Sequence, residues 1–150
     1  EIGSGLVGSE MCIRDRNGLT PIHIDDSVSS LSAILLNDAY YQALMDGREN
    51  MRGISVLKPE WIIPFKAKAW LDLREKKDVD SSDIKKHRND IIRIVSDMVL
   101  QKCILPDEVR KDMEKFIEQF DVTESELKNL KIRGTKPEDI KRVLQTIYLD

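Results

Sequence analysis

The chain has 150 residues, 24 Lys and Arg against 27 Asp and Glu, a formal net charge of −3, and 34% charged residues. That balance gives no basic field for non-specific nucleic-acid binding, and 5% aromatic residues is too few for a base-stacking platform. The length is enough for one domain with a real core, and no apolar run approaches membrane-spanning length. Cys12 and Cys103 form no disulfide or metal pattern, so a reducing cytoplasm is the expected setting, with no membrane partner.

The first sixteen residues, Glu1 to Arg16, lack the basic start and continuous apolar centre of a signal peptide. Within them Leu6 to Arg16, LVGSEMCIRDR, resembles the translation of a sequencing adapter read through into an open reading frame. The expectation is that residues 1–16 form a non-native, disordered leader. Cys103 is then the only native cysteine, and any function is expected to reside from Asn17 onward.

Leu19 to Ile24 is short and apolar enough for a strand. Asp25, Asp26 and Ser27 offer N-caps for a helix from about Val28 to Met45, with Leu31, Ile34, Leu35, Ala39 and Leu44 as its core stripe and Gly47 as its stop. The adjacent aspartates read as caps rather than as a metal pair. Gly53 to Leu57 alternates well enough for a strand entered by a turn at Arg52–Gly53.

From Lys58 onward the pattern predicts only helices. Pro59 and Pro64 suit a helix start, the second after a first turn or kink, in a helix lasting to about Lys76. Ser81 or Ser82 caps the next helix, which ends near Leu100. Pro106 opens a helix over Asp107 to Phe120. Thr123 and Glu126 make a capping box for a short helix to about Leu130. Thr135, Pro137 and Glu138 repeat that signature for a last helix to Tyr148. The predicted class is α+β, mostly α, divided as a leader over 1–16, a part with strands over 17–57 and a helical domain over 58–150.

Two of these helices frame the chemistry. At about 100° per residue, Ile62, Ile63, Ala69, Trp70 and Leu73 share one face, with Lys66 in its middle and Lys68 on the opposite, polar side. The following helix has a stripe of Ile84, His87, Ile91, Ile94, Val95 and Met98, bordered by Asp83 and Asp90. An ammonium within an apolar stripe calls for a carboxylate partner, so the helices should pack with Asp90, or Asp83, receiving Lys66. Lys86 or Arg93 could draw Asp90 away by local pairing.

The remaining chemistry is sparse. His23 and His87 are the only histidines, and there is no nucleophile elbow, P-loop or Gly-rich dinucleotide turn. Asp83, His87 and Asp90 share a helix face and can be drawn as a metal site, although a lone His among isoleucines more often reads as a hydrogen-bonded core residue. Lys85, Lys86 and Arg88 read as a solvated face, or as a holder for phosphate beside an edge Asp.

The segments IIPFKAKAWLDL and KKHRNDIIRI, within Gly53 to Ile94, resemble the second half of the abortive-infection (AbiE-type) nucleotidyltransferase toxins. The resemblance implies a nucleotidyltransferase core, here represented by remnant strands over 17–57, followed by a helical bundle. It assigns Lys66 and Asp90 to catalysis, with Lys66, Lys68 and Arg88 expected to contact nucleotide phosphates. For the complete protein it further implies Mg2+, a nucleoside triphosphate substrate and an antitoxin protein as a partner, and it leaves the acceptor open, with RNA as one candidate; no metal site and no cofactor are expected in this chain. The family's signature of a Gly-Ser turn followed by an Asp-x-Asp pair is absent from it, and Arg93 stands where a second family Asp often does. Two readings follow. One is a C-terminal part of a nucleotidyltransferase-like protein that does not itself catalyse transfer; the other is a non-catalytic helical interaction module with Lys66 as a structural ion-pair partner.

Overall fold

The structure is a computed structural model, and it describes residues 32–150. The expectations for the leader, for a strand at Leu19 to Ile24 and for caps at Asp25, Asp26 and Ser27 lie outside the described residues.

Asn37 decides how the chain enters its core. The single helix expected to run to Met45 is broken at residues 35–37, after a helical turn through residues 32–34. α1 (Asp38–Gly47) then starts afresh, because the Asn37 side chain accepts from the N–H groups of Ala39 at 2.8 Å and Tyr40 at 3.3 Å. A short amide side chain competes for those donors and ends one helix by capping the next. The restart moves the buried positions to Tyr40, Ala43 and Gly47, leaving Ala39 and Leu44 half-buried and Leu36 86% exposed.

Gly47 lies within α1 rather than beyond it, and its lack of a side chain is steric. A Cβ there would stand 2.5 Å from Cβ and Cγ of Trp61. Next come β1 (Arg48–Met51) and β2 (Ile54–Leu57), paired antiparallel with Met51 opposite Ile54 and Arg48 opposite Leu57. Arg52 and Gly53 both have positive φ, 55° and 82°, the requirement of a tight two-residue hairpin turn. β2 was legible in the sequence; β1 was not, since Arg-Glu-Asn-Met has no apolar alternation and is a strand through its partner.

α2 (Pro59–Arg74) is the central element. Periodicity implied one buried face, but Trp61, Ile63, Phe65, Ala67, Ala69, Trp70, Leu71 and Leu73 are all buried while Ile62 is only half-buried. The reason is that α2 packs against α1 and against two further helices, α3 (Ser81–Asp97) and α4 (Asp107–Gln119). Pro64 sits inside α2, buried. Having no N–H, it leaves the Glu60 carbonyl without its helical donor. The Tyr148 hydroxyl takes that acceptor at 2.6 Å, and the Cys103 thiol lies 3.9 Å from it.

α3 is capped by Asp80, whose carboxylate accepts from Ser82 N–H at 2.9 Å, so the expected serine caps are corrected. It buries His87, Ile91 and Ile92 and ends at Asp97, short of Leu100, leaving Met98 50% exposed. The Thr123–Glu126 capping box opens α5 (Glu124–Asn129): Glu126 N–H reaches Thr123 Oγ1 at 3.2 Å, and Thr123 N–H reaches the Glu126 carboxylate at 3.0 Å. α5 closes in a Schellman turn, with Ile132 N–H to Leu127 O and Lys131 N–H to Lys128 O, both 2.9 Å, and Lys131 at φ 62°. α6 (Pro137–Tyr148) is held at its start by the Asp139 carboxylate, which accepts from Lys136 N–H at 3.2 Å; Thr135 is not the cap.

The described chain is thus α+β and mostly α. Ile34, Tyr40 and Ala43 share one hydrophobic core with residues of α2 to α6, including Phe116, Ile140 and Leu144, and with Phe120 just after α4. Edge-on aromatic pairs, Tyr40 with Phe65 and Trp70 with Phe116, join α1 and α4 to the central helix.

Candidate functional site

Lys66 leaves α2 at the seam with α3, and its Nζ stands 2.9 Å from Asp90 Oδ2. The other oxygen of Asp90 lies 3.9 Å from Arg93, three residues along the same helix. The pair forms as the apolar stripe demanded, but it is not desolvated: the two side chains remain 27% and 29% exposed. Lys66 buries its stem along the seam and carries its charge to the rim. At that exposure the pair contributes at most about 1 kcal/mol.

His87 lies in the same helix three residues before Asp90 and is 6% exposed. The expectation of a hydrogen-bonded core histidine is half corrected. It is in the core, but among the described residues neither ring nitrogen has a hydrogen-bond partner. Burial holds its pKa below the usual histidine range, the Lys66 ammonium adds to that, and Asp90 opposes it. Asp83, His87 and Asp90 do not assemble into a metal site; among the described residues no three His, Cys, Asp or Glu side chains converge on one.

Lys68 and Arg88 are engaged elsewhere. Lys68 Nζ lies 3.2 Å from Asp72 and 3.8 Å from Asp112, whose carboxylate also accepts the buried Tyr40 hydroxyl at 2.7 Å. Burial would lower the Lys68 pKa, but Asp112 and then Asp72 outweigh it and raise the value above the usual lysine range. Burial and the bond to Asp112 push the Tyr40 hydroxyl well above the ordinary tyrosine range. Arg88 donates from Nε to the Asp121 carbonyl at 3.2 Å and pairs with Glu126 at 2.7 Å, with its guanidinium 5.6 Å from the Phe120 ring centre. Those bonds hold the Glu126 carboxyl below its usual range, the Arg88 hydrogen bond first. Arg88 thereby ties α3 to the junction of α4 and α5, while Lys85 and Lys86 stay exposed.

Of the residues singled out in the sequence, the structure therefore brings together Lys66 and Asp90, and not Lys68 or Arg88 with them. The one Asp-x-Asp of the chain, Asp78-Val79-Asp80, follows no Gly-Ser turn, and its Asp80 is the α3 cap. Two surface concavities, one between Phe120 and Lys141 and one lined by Lys128, Lys131, Ile132 and Arg133, include neither Lys66 nor Asp90. The second was missed in the sequence, although a signal was present. The run KNLKIRGTK, Lys128 to Lys136, carries four cations and no carboxylate. The Tyr40–Asp112–Lys68 network had no signal, because 72 residues separate Tyr40 from Asp112.

No protein-family model matches this chain, and no curated protein or solved structure matches it either. Among the described residues no helix is long and apolar enough to cross a membrane.

Proposed function

We propose that this chain is the helical part of a nucleotidyltransferase-like protein of toxin type, which when complete transfers a nucleotide from a nucleoside triphosphate to an acceptor. The supporting observation is the 2.9 Å pairing of Lys66 with Asp90 across the α2–α3 seam, at the two positions the family resemblance selects. Asp90 holds the ammonium at the rim of the seam, and a phosphate oxygen arriving there competes with Asp90 for Nζ. The ammonium then offsets negative charge on the triphosphate. The described residues do not fit Mg2+, since no carboxylate set converges, so no step is routed through a metal. Transfer is not expected from this chain alone. An antitoxin protein belongs to the same proposal, and the acceptor is left open, with RNA as one candidate.

The test is the in-frame coding sequence upstream of Asn17 in the source genome. A Gly-Ser turn followed by an Asp-x-Asp pair supports the reading, and a start codon next to Asn17 with no such signature contradicts it. A second reading, a non-catalytic helical interaction module in cytoplasm, is favoured by one specific observation. Lys68 and Arg88, assigned to phosphate by the resemblance, spend their charges on Asp72, Asp112, Glu126 and the Asp121 carbonyl.

A further inference from the structure

We propose that the turn closing α5 is a binding site for a dianionic phosphate group, as carried by inorganic phosphate or a phosphate monoester. Lys128, Lys131 and Arg133, with Ile132, line one open concavity of about 490 Å³. None of the three cations makes an ion pair among the described residues, and residues 127–137 contain no Asp or Glu. Three positive side chains sharing one concavity repel one another, and an anion with two charges relieves that repulsion.

A bland explanation covers only part of this. Cations in the last turn of a helix complement its dipole, which accounts for Lys128. It does not account for Lys131, which sits beyond the helix with φ 62°, at the turn position where glycine is favoured. The two backbone bonds of the Schellman turn are made without any side chain there, so the turn itself needs no lysine. Those bonds do fix the backbone from which Lys131 projects, which localises its charge better than a free loop would. Among the described residues the backbone N–H groups of Arg133, Gly134 and Thr135 donate to no backbone carbonyl, which leaves three further donors beside the cations in sequence.

The experiment is an amide NMR titration of the full chain at constant ionic strength with inorganic phosphate, dimethyl phosphate or chloride. Saturable shifts at residues 128–135 are expected with phosphate, and responses there at least about threefold weaker with the singly charged diester. Lys131→Gly suits the left-handed backbone and should weaken phosphate binding about threefold with no loss of thermal stability. Arg133→Gln should do the same, and the double variant about tenfold. The proposal is overturned by shifts that stay linear and equal those from chloride. It is also overturned by equal affinity for dimethyl phosphate, or by unchanged phosphate binding in the double variant.

Discussion

Tyr148 completes a bond that Pro64 leaves open. The proline has no N–H to return to the Glu60 carbonyl, and the Tyr148 hydroxyl occupies that acceptor at 2.6 Å, tying the end of α6 to the first turn of α2. Tyr148 is 3% exposed, so Tyr148→Phe leaves the buried Glu60 carbonyl with only the weak Cys103 thiol contact at 3.9 Å and should cost about 1–2 kcal/mol in denaturant unfolding. Pro64→Ala supplies the missing N–H. The cost of Tyr148→Phe should then fall by about 0.5–1 kcal/mol in the Pro64→Ala background, and an equal cost in both backgrounds would refute the link.

The same residues show what the sequence could and could not tell. Element types from Lys58 onward were legible because proline starts, a Thr-x-x-Glu box and apolar periodicity are local signals. So was the Lys66–Asp90 pair, since a cation in an apolar stripe implies an acid on the covering helix. The break at Asn37 was not, because the same amide tolerates a helix interior or caps one, and only the tertiary position of Tyr40 decides. Nor was the all-round burial of α2, since periodicity counts apolar positions but not the number of neighbours. Arg88 looked like part of a basic face because nothing local announces Asp121 and Glu126 across a turn more than thirty residues away.

His87 sets a pH dependence. Its folded pKa lies below the unfolded value of about 6.5, so the unfolded chain binds the proton more readily. The associated stability is fully present above the unfolded pKa and is lost as pH falls through and below it. Stability followed from pH 7.5 to 5.5 should decline by less than about 1.4 kcal/mol per pH unit. His87→Leu should flatten that decline and cost little at pH 7.5, because it also removes two buried nitrogens without partners among the described residues. An equally steep decline in the variant would assign it to other groups.

Gly47→Ala tests the close approach of α1 to α2. The new methyl would meet Trp61 at 2.5 Å and Leu57 at 2.8 Å, and Trp61 is itself buried. Overpacking of this kind costs about 1–3 kcal/mol, against a gain of up to about 1 kcal/mol from better helix propensity. A net loss of stability is expected on chemical unfolding, and a stabilised variant would show that the hairpin and α2 yield easily.

Lys131→Gly should act in the opposite direction. A lysine at φ 62° is strained by roughly 1 kcal/mol relative to glycine, so relief should raise the thermal midpoint by a few degrees. A lowered midpoint would mean that the Lys131 stem packs against the fold.

Lys66, held by Asp90, is proposed here as the group that meets phosphate. That role is tested most directly by amide NMR titration of the chain with a nucleoside triphosphate, comparing native protein with Lys66→Met. The substitution keeps the stem, and the exposed ion pair it removes is worth less than about 1 kcal/mol, so the fold should persist. Saturable shifts along the α2–α3 seam around Lys66 and Asp90 that vanish in Lys66→Met are expected. Shifts confined to the turn after α5, or seam shifts that survive the substitution, would contradict it.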